Sequence, residues 1–223
     1  MKTLLVTLHI TGGSLAILVG MVALFLKKGS KLHNNLGRIF YYSMLVMAAS
    51  AVYMSIENHE QTNIVVSLLV IYLVTTARKT LTNKKGVIGN FEKLALVYAL
   101  IIVVVGIFLI VEIMDLRGNN LEPIDYFLFF YTFIALLGAI LDTVVLINGK
   151  IVGSRRIVRH LWRMVFALWI AVGSLFLGQP QVFPQVLQDN PMTLASPFLL
   201  VTVTLLFWLV RVWFIKRFKH VKY

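Results

Sequence analysis

Seven apolar runs, at 3–26, 39–56, 63–78, 94–114, 124–148, 161–179 and 197–215, leave little of this chain between them. Each is long enough, or nearly so, to cross a hydrocarbon core of about 30 Å at about 1.5 Å per residue. With 59% hydrophobic and only 13% charged residues among 223, the sequence predicts an integral membrane protein. The expected fold class is all-α, a polytopic bundle of seven transmembrane helices forming one domain over 1–223. Such a chain has no room for a separate soluble catalytic head. It also has no cysteine, which removes disulfides, thiolate metal sites and thiol nucleophiles together. Chemistry is left to His, Asp, Glu, Tyr and Arg.

The third run has the weakest signal, because Gln61, Thr62 and Asn63 crowd its start and Thr75, Thr76 and Arg78 its end. Charge decides that it crosses. All but Lys2 and Arg117 of the 21 basic residues fall in four blocks: Lys27, Lys28, Lys31 and Arg38; Arg78, Lys79, Lys84, Lys85 and Lys93; Lys150, Arg155, Arg156, Arg159 and Arg163; Arg211, Lys216, Arg217, Lys219 and Lys222. The segments between them carry Glu57 and Glu60, then Glu112, Asp115, Glu122 and Asp125, then Asp189. Under the positive-inside rule the N-terminus is outside and the C-terminus cytoplasmic, and the number of spans is odd. Without the third span the block from Arg155 to Arg163 would fall on the wrong side.

Other features agree with that frame. Pro123, Pro180, Pro184, Pro191 and Pro197 fall in the outer loops or at outer helix ends and interrupt no span, where a missing backbone donor does least harm. Tyr41, Tyr42, Trp162 and Trp213 near the inner boundary and Tyr126 near the outer one read as interfacial anchors. The first run is too long for a signal-peptide core, no small-x-small cleavage site follows it, and it is read as the first helix. Segment 179–197 is expected to form a re-entrant or interfacial cap. The net charge of +12 belongs to topology and to anionic lipid headgroups on the cytoplasmic face, not to nucleic acid.

In lipid, stripes of small residues mark packed faces. His9, Gly13, Ala16 and Gly20, with Gly12 beside them, share one face of the first helix; Ala135, Gly138 and Asp142 share one on the fifth; His160, Met164, Ala167, Ala171, Ser174 and Gly178 share one on the sixth. Each stripe carries an ionisable residue. A carboxylate within a span costs about 2.5–3.5 kcal/mol on insertion scales, so Asp142 should face protein or a wet cavity. Its expected partners are Arg163, His160, Arg38 or Arg78, and a structural ion pair near the inner interface is the plain alternative. Helix rise puts His9 and Asp142 about 14 Å apart along the membrane normal, too far to share a metal ion. His33, His160 and Asp142 fall at similar depth and form the one expected cluster. His59 and His220 read as solvated. The row Arg156, Arg159, His160, Arg163 is expected to meet lipid headgroups or, with the start of the sixth helix, to form an anion pocket.

The segment HITGGSLAILVGMVALFLKKGSKLHNNLGRIF, with His9, Gly12, Gly13, His33, Gly37 and Arg38, resembles the opening of the bacterial predicted-membrane-protein family DUF2306 (domain of unknown function 2306). YLVTTARKTL, with Tyr72 and Arg78, and RHLWRMVFALWIAVGSLFLGQ, with His160, Arg163, Met164 and Gln179, are similar to its later blocks. Asn34 replaces a basic residue and Ala77 a glycine of that pattern. The resemblance implies a bacterial inner-membrane protein organised around His9, His33, Arg38, Arg78 and His160, and it brings no activity with it.

Four functions remain open. A carrier or receptor would bind a small molecule or ion at a cytoplasmic-side site of Asp142, His160, Arg163, His33, Arg38 and Arg78, with His9, Gly12 and Gly13 as an outer candidate. No inverted repeat and no helix broken at mid-depth supports a secondary transporter. A b-type haem protein would use His33 and His160 as axial ligands, or His9 and His59 as an outer pair. A zinc hydrolase would draw on His33, His160 and Asp142, although no HExxH pair exists. An accessory subunit would use its seams only for packing. A Ser-His-Asp hydrolase is excluded, since no GxSxG elbow is present.

Overall fold

The computed structural model describes residues 2–83, 86–118 and 120–219, with side chains through residue 212. His220, Lys84, Lys85 and Lys222 lie outside the described residues, and the Trp213 side chain is among those not described. Seven helices are long and apolar enough to cross a membrane: α1 (Lys2–Phe25), α2 (Lys31–Glu57), α3 (Gln61–Thr82), α4 (Asn90–Arg117), α5 (Pro123–Ile147), α6 (Gly153–Phe176) and α8 (Pro191–Lys219). Among the described residues no strand forms, and an isolated antiparallel bridge joins Val87 to Lys150. The apolar outer surface, with Leu18, Val104 and Phe108 each about two-thirds exposed at 66%, 66% and 67%, suits a lipid bilayer.

The helix with the weakest sequence signal is the central one. α3 packs against α2, α4, α5 and α6 and buries Val65, Leu69, Tyr72, Leu73, Val74 and Ala77. Its polar ends satisfy neighbours: at one end Gln61 donates to Glu112 Oε2 at 2.9 Å, and at the other its last carbonyls receive side chains of α6. α1 and α2 pair as a hairpin on one side, α4 and α5 pair on the other, and α8 covers α6.

Small residues set the close approaches. Gly12, Ala16, Gly20 and Leu24 are the buried positions of α1, and a Cβ on Gly12 would stand 3.1 Å from the Ser43 carbonyl oxygen of α2. On α5, Ala135, Gly138 and Asp142 are all buried. The expected stripe on α6 holds only in part. Ala167 and Ala171 are buried, but Arg159, Arg163 and Ile170 complete that face, while Ser174 and Gly178 are exposed. α6 ends at Phe176 with Leu177 as its cap, and beyond it the Gly178 N–H donates to the Gly173 carbonyl at 3.1 Å.

One further expectation is corrected. Pro197 lies inside α8, because the helix begins at Pro191, six residues before it. The Ser196 hydroxyl donates to the Thr193 carbonyl at 2.7 Å, supplying the donor that the proline lacks. Segment 179–190 forms a 3₁₀ turn at Pro180–Val182 and the single-turn helix α7 (Gln185–Gln188), neither with a buried residue. It forms a cap at one end of the bundle, tethered by Phe183 stacking on Phe176.

Candidate functional site

α5 presents Asp142 one turn after Gly138, and that spacing makes the site. A Cβ on Gly138 would meet the Tyr72 ring at 2.8 Å and its hydroxyl at 3.0 Å. The glycine therefore lets Tyr72 of α3 lie against α5 and donate its hydroxyl to Asp142 Oδ2 at 2.6 Å. Two guanidiniums of α6, one turn apart, converge on the other oxygen: Arg159 Nη2 at 2.9 Å and Arg163 Nη2 at 2.6 Å from Oδ1. Arg163 Nη2 also donates to the Tyr72 hydroxyl at 3.0 Å, with its guanidinium 4.8 Å from the Tyr72 ring centre. Asp142 is 2% exposed and Arg163 0%. One carboxylate faces two cations, and the Nε atoms of both arginines have no partner among the described residues.

The basic row of α6 is absorbed by the C-terminal end of α3. Arg156 Nε donates to the Thr80 carbonyl at 2.6 Å and its Nη2 to the Leu81 carbonyl. Arg159 Nη1 donates to the Thr80 hydroxyl at 2.6 Å, and His160 Nδ1 to the Ala77 carbonyl at 3.2 Å. Arg156 and Arg159 meet the negative end of the α3 dipole, Arg156 on its terminal Thr80 and Leu81 carbonyls. Arg156 and Arg163 thus turn toward α3 and Asp142, while Arg159 and His160 bond α3 and each also borders a cavity, because α6 starts at Gly153 and not near 161.

On another face of α6 lies a cavity of about 440 Å³ between α1, α2, α6 and α8, lined by Lys28, His33 and His160 and otherwise mainly by apolar groups such as Phe40, Leu168 and Trp208. Local structure places each polar group. Ser30 caps α2, its hydroxyl accepting from the His33 N–H at 3.2 Å, which sets His33 in the first turn, facing the end of α1. His33 Nδ1 then donates to the Ala23 carbonyl at 3.2 Å. The Lys28 ammonium donates to the Ala23 and Leu24 carbonyls at 3.0 and 2.7 Å and stands 5.0 Å from the Trp208 ring centre. Partial burial of Lys28, in the turn between α1 and α2, holds its ammonium below the ordinary lysine value. A carbonyl only accepts, so each imidazole carries a proton on Nδ1, and in the neutral ring the lone pair is on Nε2.

The residues expected to act together therefore divide. Arg163 meets Asp142; His33 and His160 meet in the cavity; Arg38 and Arg78 join neither. Arg38 is exposed and bonds Asn35 at 2.5 Å, while Arg78 stands 4.8 Å from the Tyr41 ring centre. At the outer candidate, His9 Nδ1 donates to the Met47 carbonyl at 3.0 Å and Gly12 and Gly13 pack on Met47, a seam between α1 and α2. His59 sits on an exposed turn with φ of 57°. The His33, His160, Asp142 triad does not assemble, and among the described residues no group of three metal-ligating side chains forms. Equal depth said nothing of direction around α6, where Asp142 faces Arg159 and Arg163 and the histidines face elsewhere. Tyr72 and Arg159 complete the carboxylate site and were not among its expected members. Their signal lies in the four-residue spacing of Tyr72, Thr76 and Thr80 and of Arg159 and Arg163, which puts each set on one helix face. No protein-family profile, curated protein sequence or solved structure matches this chain.

Proposed function

We propose that the protein is a multi-pass inner-membrane protein of the bacterial family it resembles, and that it binds or carries a small amphiphilic acid in the cavity between α1, α2, α6 and α8. The carrying observation is that one ammonium and two imidazoles line a single, otherwise mainly apolar cavity of about 440 Å³, within the range of about 300–1,000 Å³ typical of small-molecule sites. Lys28 complements an anionic head. The Nε2 lone pairs of His33 and His160 accept from a hydroxyl of the bound molecule or of water beside its head, and Phe40, Leu168 and Trp208 suit an apolar body.

The proposed orientation has the N-terminus outside and the C-terminus cytoplasmic, so that the cavity opens toward the cytoplasm. It is supported by the turns that join α1 to α2, α3 to α4 and α5 to α6, which carry basic blocks and gather at one end of the bundle: the Val87–Lys150 bridge and the Arg156 contacts join the last two, and the cavity that Lys28 shares with Leu81 and His160 brings in the first. Native mass spectrometry of protein released gently from membranes tests the binding function. A small acid is expected to stay bound and to be lost from Lys28→Gln and His160→Ala. Release of bare protein, together with no thermal stabilisation by medium-chain carboxylic acids, returns the chain to the accessory-subunit reading.

A second reading is a b-type haem protein. It is favoured by both imidazoles lining one cavity with Nδ1–H held by a carbonyl, the outer bond that orients metal-ligating histidines. Oxidised and reduced visible spectra decide it: a Soret band that shifts on reduction and vanishes in His160→Ala supports haem, and a colourless protein made with haem available excludes it.

A further inference from the structure

A second cavity, of about 540 Å³, opens between α5, α6 and α8. It meets α6 on a different face from the first and shares only Val212 with it among the described residues. Its polar wall consists of Asn148, Lys150, Ser154, Arg155 and Arg159, and no carboxylate lines it. Lys150 and Arg155 are exposed and form no ion pair among the described residues. Arg159 reaches the cavity from the buried Asp142 cluster, where two guanidiniums share one carboxylate; it is 6% exposed and its Nε has no partner. A surplus positive charge in a low-dielectric surrounding is costly until an anion joins it. The remaining wall is apolar, including Leu141, Val145, Trp162 and Leu209.

We propose that this cavity is a binding site for the phosphate headgroup of an anionic phospholipid, with Lys150, Arg155 and Arg159 neutralising the phosphate and the acyl chains lying against the apolar residues of α5 and α8. A basic rim above an apolar groove fits a molecule that is anionic at one end and apolar at the other. A zwitterionic lipid brings a cation into a site that already holds three, so the site selects net negative charge. The site does not depend on the small-acid cavity, whose Lys28, His33 and His160 are elsewhere.

The experiment uses the full chain in neutral detergent, titrated with phosphatidylglycerol or phosphatidylcholine carrying brominated acyl chains, with tryptophan fluorescence as readout. Phosphatidylglycerol is expected to quench at a lipid fraction at least about tenfold lower than phosphatidylcholine, and Trp162→Phe is expected to lose that high-affinity phase. The Lys150→Gln/Arg155→Gln double variant changes two exposed side chains outside the ion-pair cluster and is expected to erase the preference, while Lys28→Gln preserves it. Equal quenching by the two lipids, an unaltered preference in the double variant, or a high-affinity phase that survives Trp162→Phe overturns the proposal. Inorganic phosphate at millimolar concentration separates the two sources of this anion: unchanged quenching assigns the site to lipid, and recovery of fluorescence assigns it to free phosphate and overturns the lipid reading.

Discussion

The Asp142 cluster and the Lys28–His33–His160 cavity meet on the first turns of α6, from neighbouring residues Arg159 and His160, and they are built on opposite terms. In the cluster the functional groups bond one another: both carboxylate oxygens are taken by Arg159, Arg163 and Tyr72 across three helices. In the cavity they bond the backbone, at Ala23, Leu24 and Ala77, and keep a lone pair or a charge toward open space. The first arrangement leaves the carboxylate no capacity for a ligand and fastens α3, α5 and α6 together. The second is held in place yet unsatisfied, as a binding site must be before its ligand arrives. The buried carboxylate is thus committed to joining three helices, and the weaker histidine signals mark the cavity proposed above as the binding site.

The sharpest way to break this contrast is to remove the brace. Asp142→Asn leaves two buried guanidiniums uncompensated and is expected to cost about 3–5 kcal/mol, seen as a large fall in the thermal midpoint of the purified protein. A triple change of Asp142, Arg159 and Arg163 to Leu is expected to restore much of that loss, because apolar replacement of a whole buried ion network is often close to neutral. If Asp142→Asn keeps wild-type stability, the carboxylate is not a brace and the contrast fails.

A smaller effect tests the geometry beneath it. Gly138→Ala puts a methyl group into the Tyr72 ring and is expected to cost about 1–3 kcal/mol by overpacking, whereas Tyr72→Phe loses a hydrogen bond to a charged group, about 1.5–3 kcal/mol. A double-mutant cycle between Gly138→Ala and Tyr72→Leu is expected to show coupling above about 0.5 kcal/mol, and additive values would separate the glycine from the tyrosine.

How much of this was legible beforehand follows from the same two regions. Hydropathy and charge blocks place seven helices, including α3, whose Gln61 and Thr62 looked too polar for a span because they bond α4 and α5 instead of lipid. Small-residue spacing finds the packed faces of α1 and α5, and the cost of a buried charge singles out Asp142. Depth along the normal is readable from residue counts, but direction around each helix is not, since it depends on which neighbours pack where. That is why His33, His160 and Asp142 looked like one cluster and are two sites, and why Arg38 and Arg78 fall outside both. The start of α6 eight residues before its apolar run hid the basic row's inward aim.

The finest distinction is between brace and receptor in their response to pH. Lys28 is held below its ordinary value by partial burial, so the unfolded chain binds more protons than the folded one over the interval between that lowered value and the ordinary lysine value of about 10.4. Stability of the unliganded protein is therefore expected to rise modestly with pH across that interval. Binding of an anionic amphiphile should do the reverse, weakening as the ammonium that pairs with it loses its proton. Decanoate affinity measured from neutral to alkaline pH checks this: wild type is expected to lose several-fold at the alkaline end, and Lys28→Met is expected to bind weakly with a flat profile. A sloped profile in Lys28→Met would move the anion's partner away from the mouth of the cavity, whereas parallel pH trends in stability and binding would show that Lys28 acts as a helix cap alone.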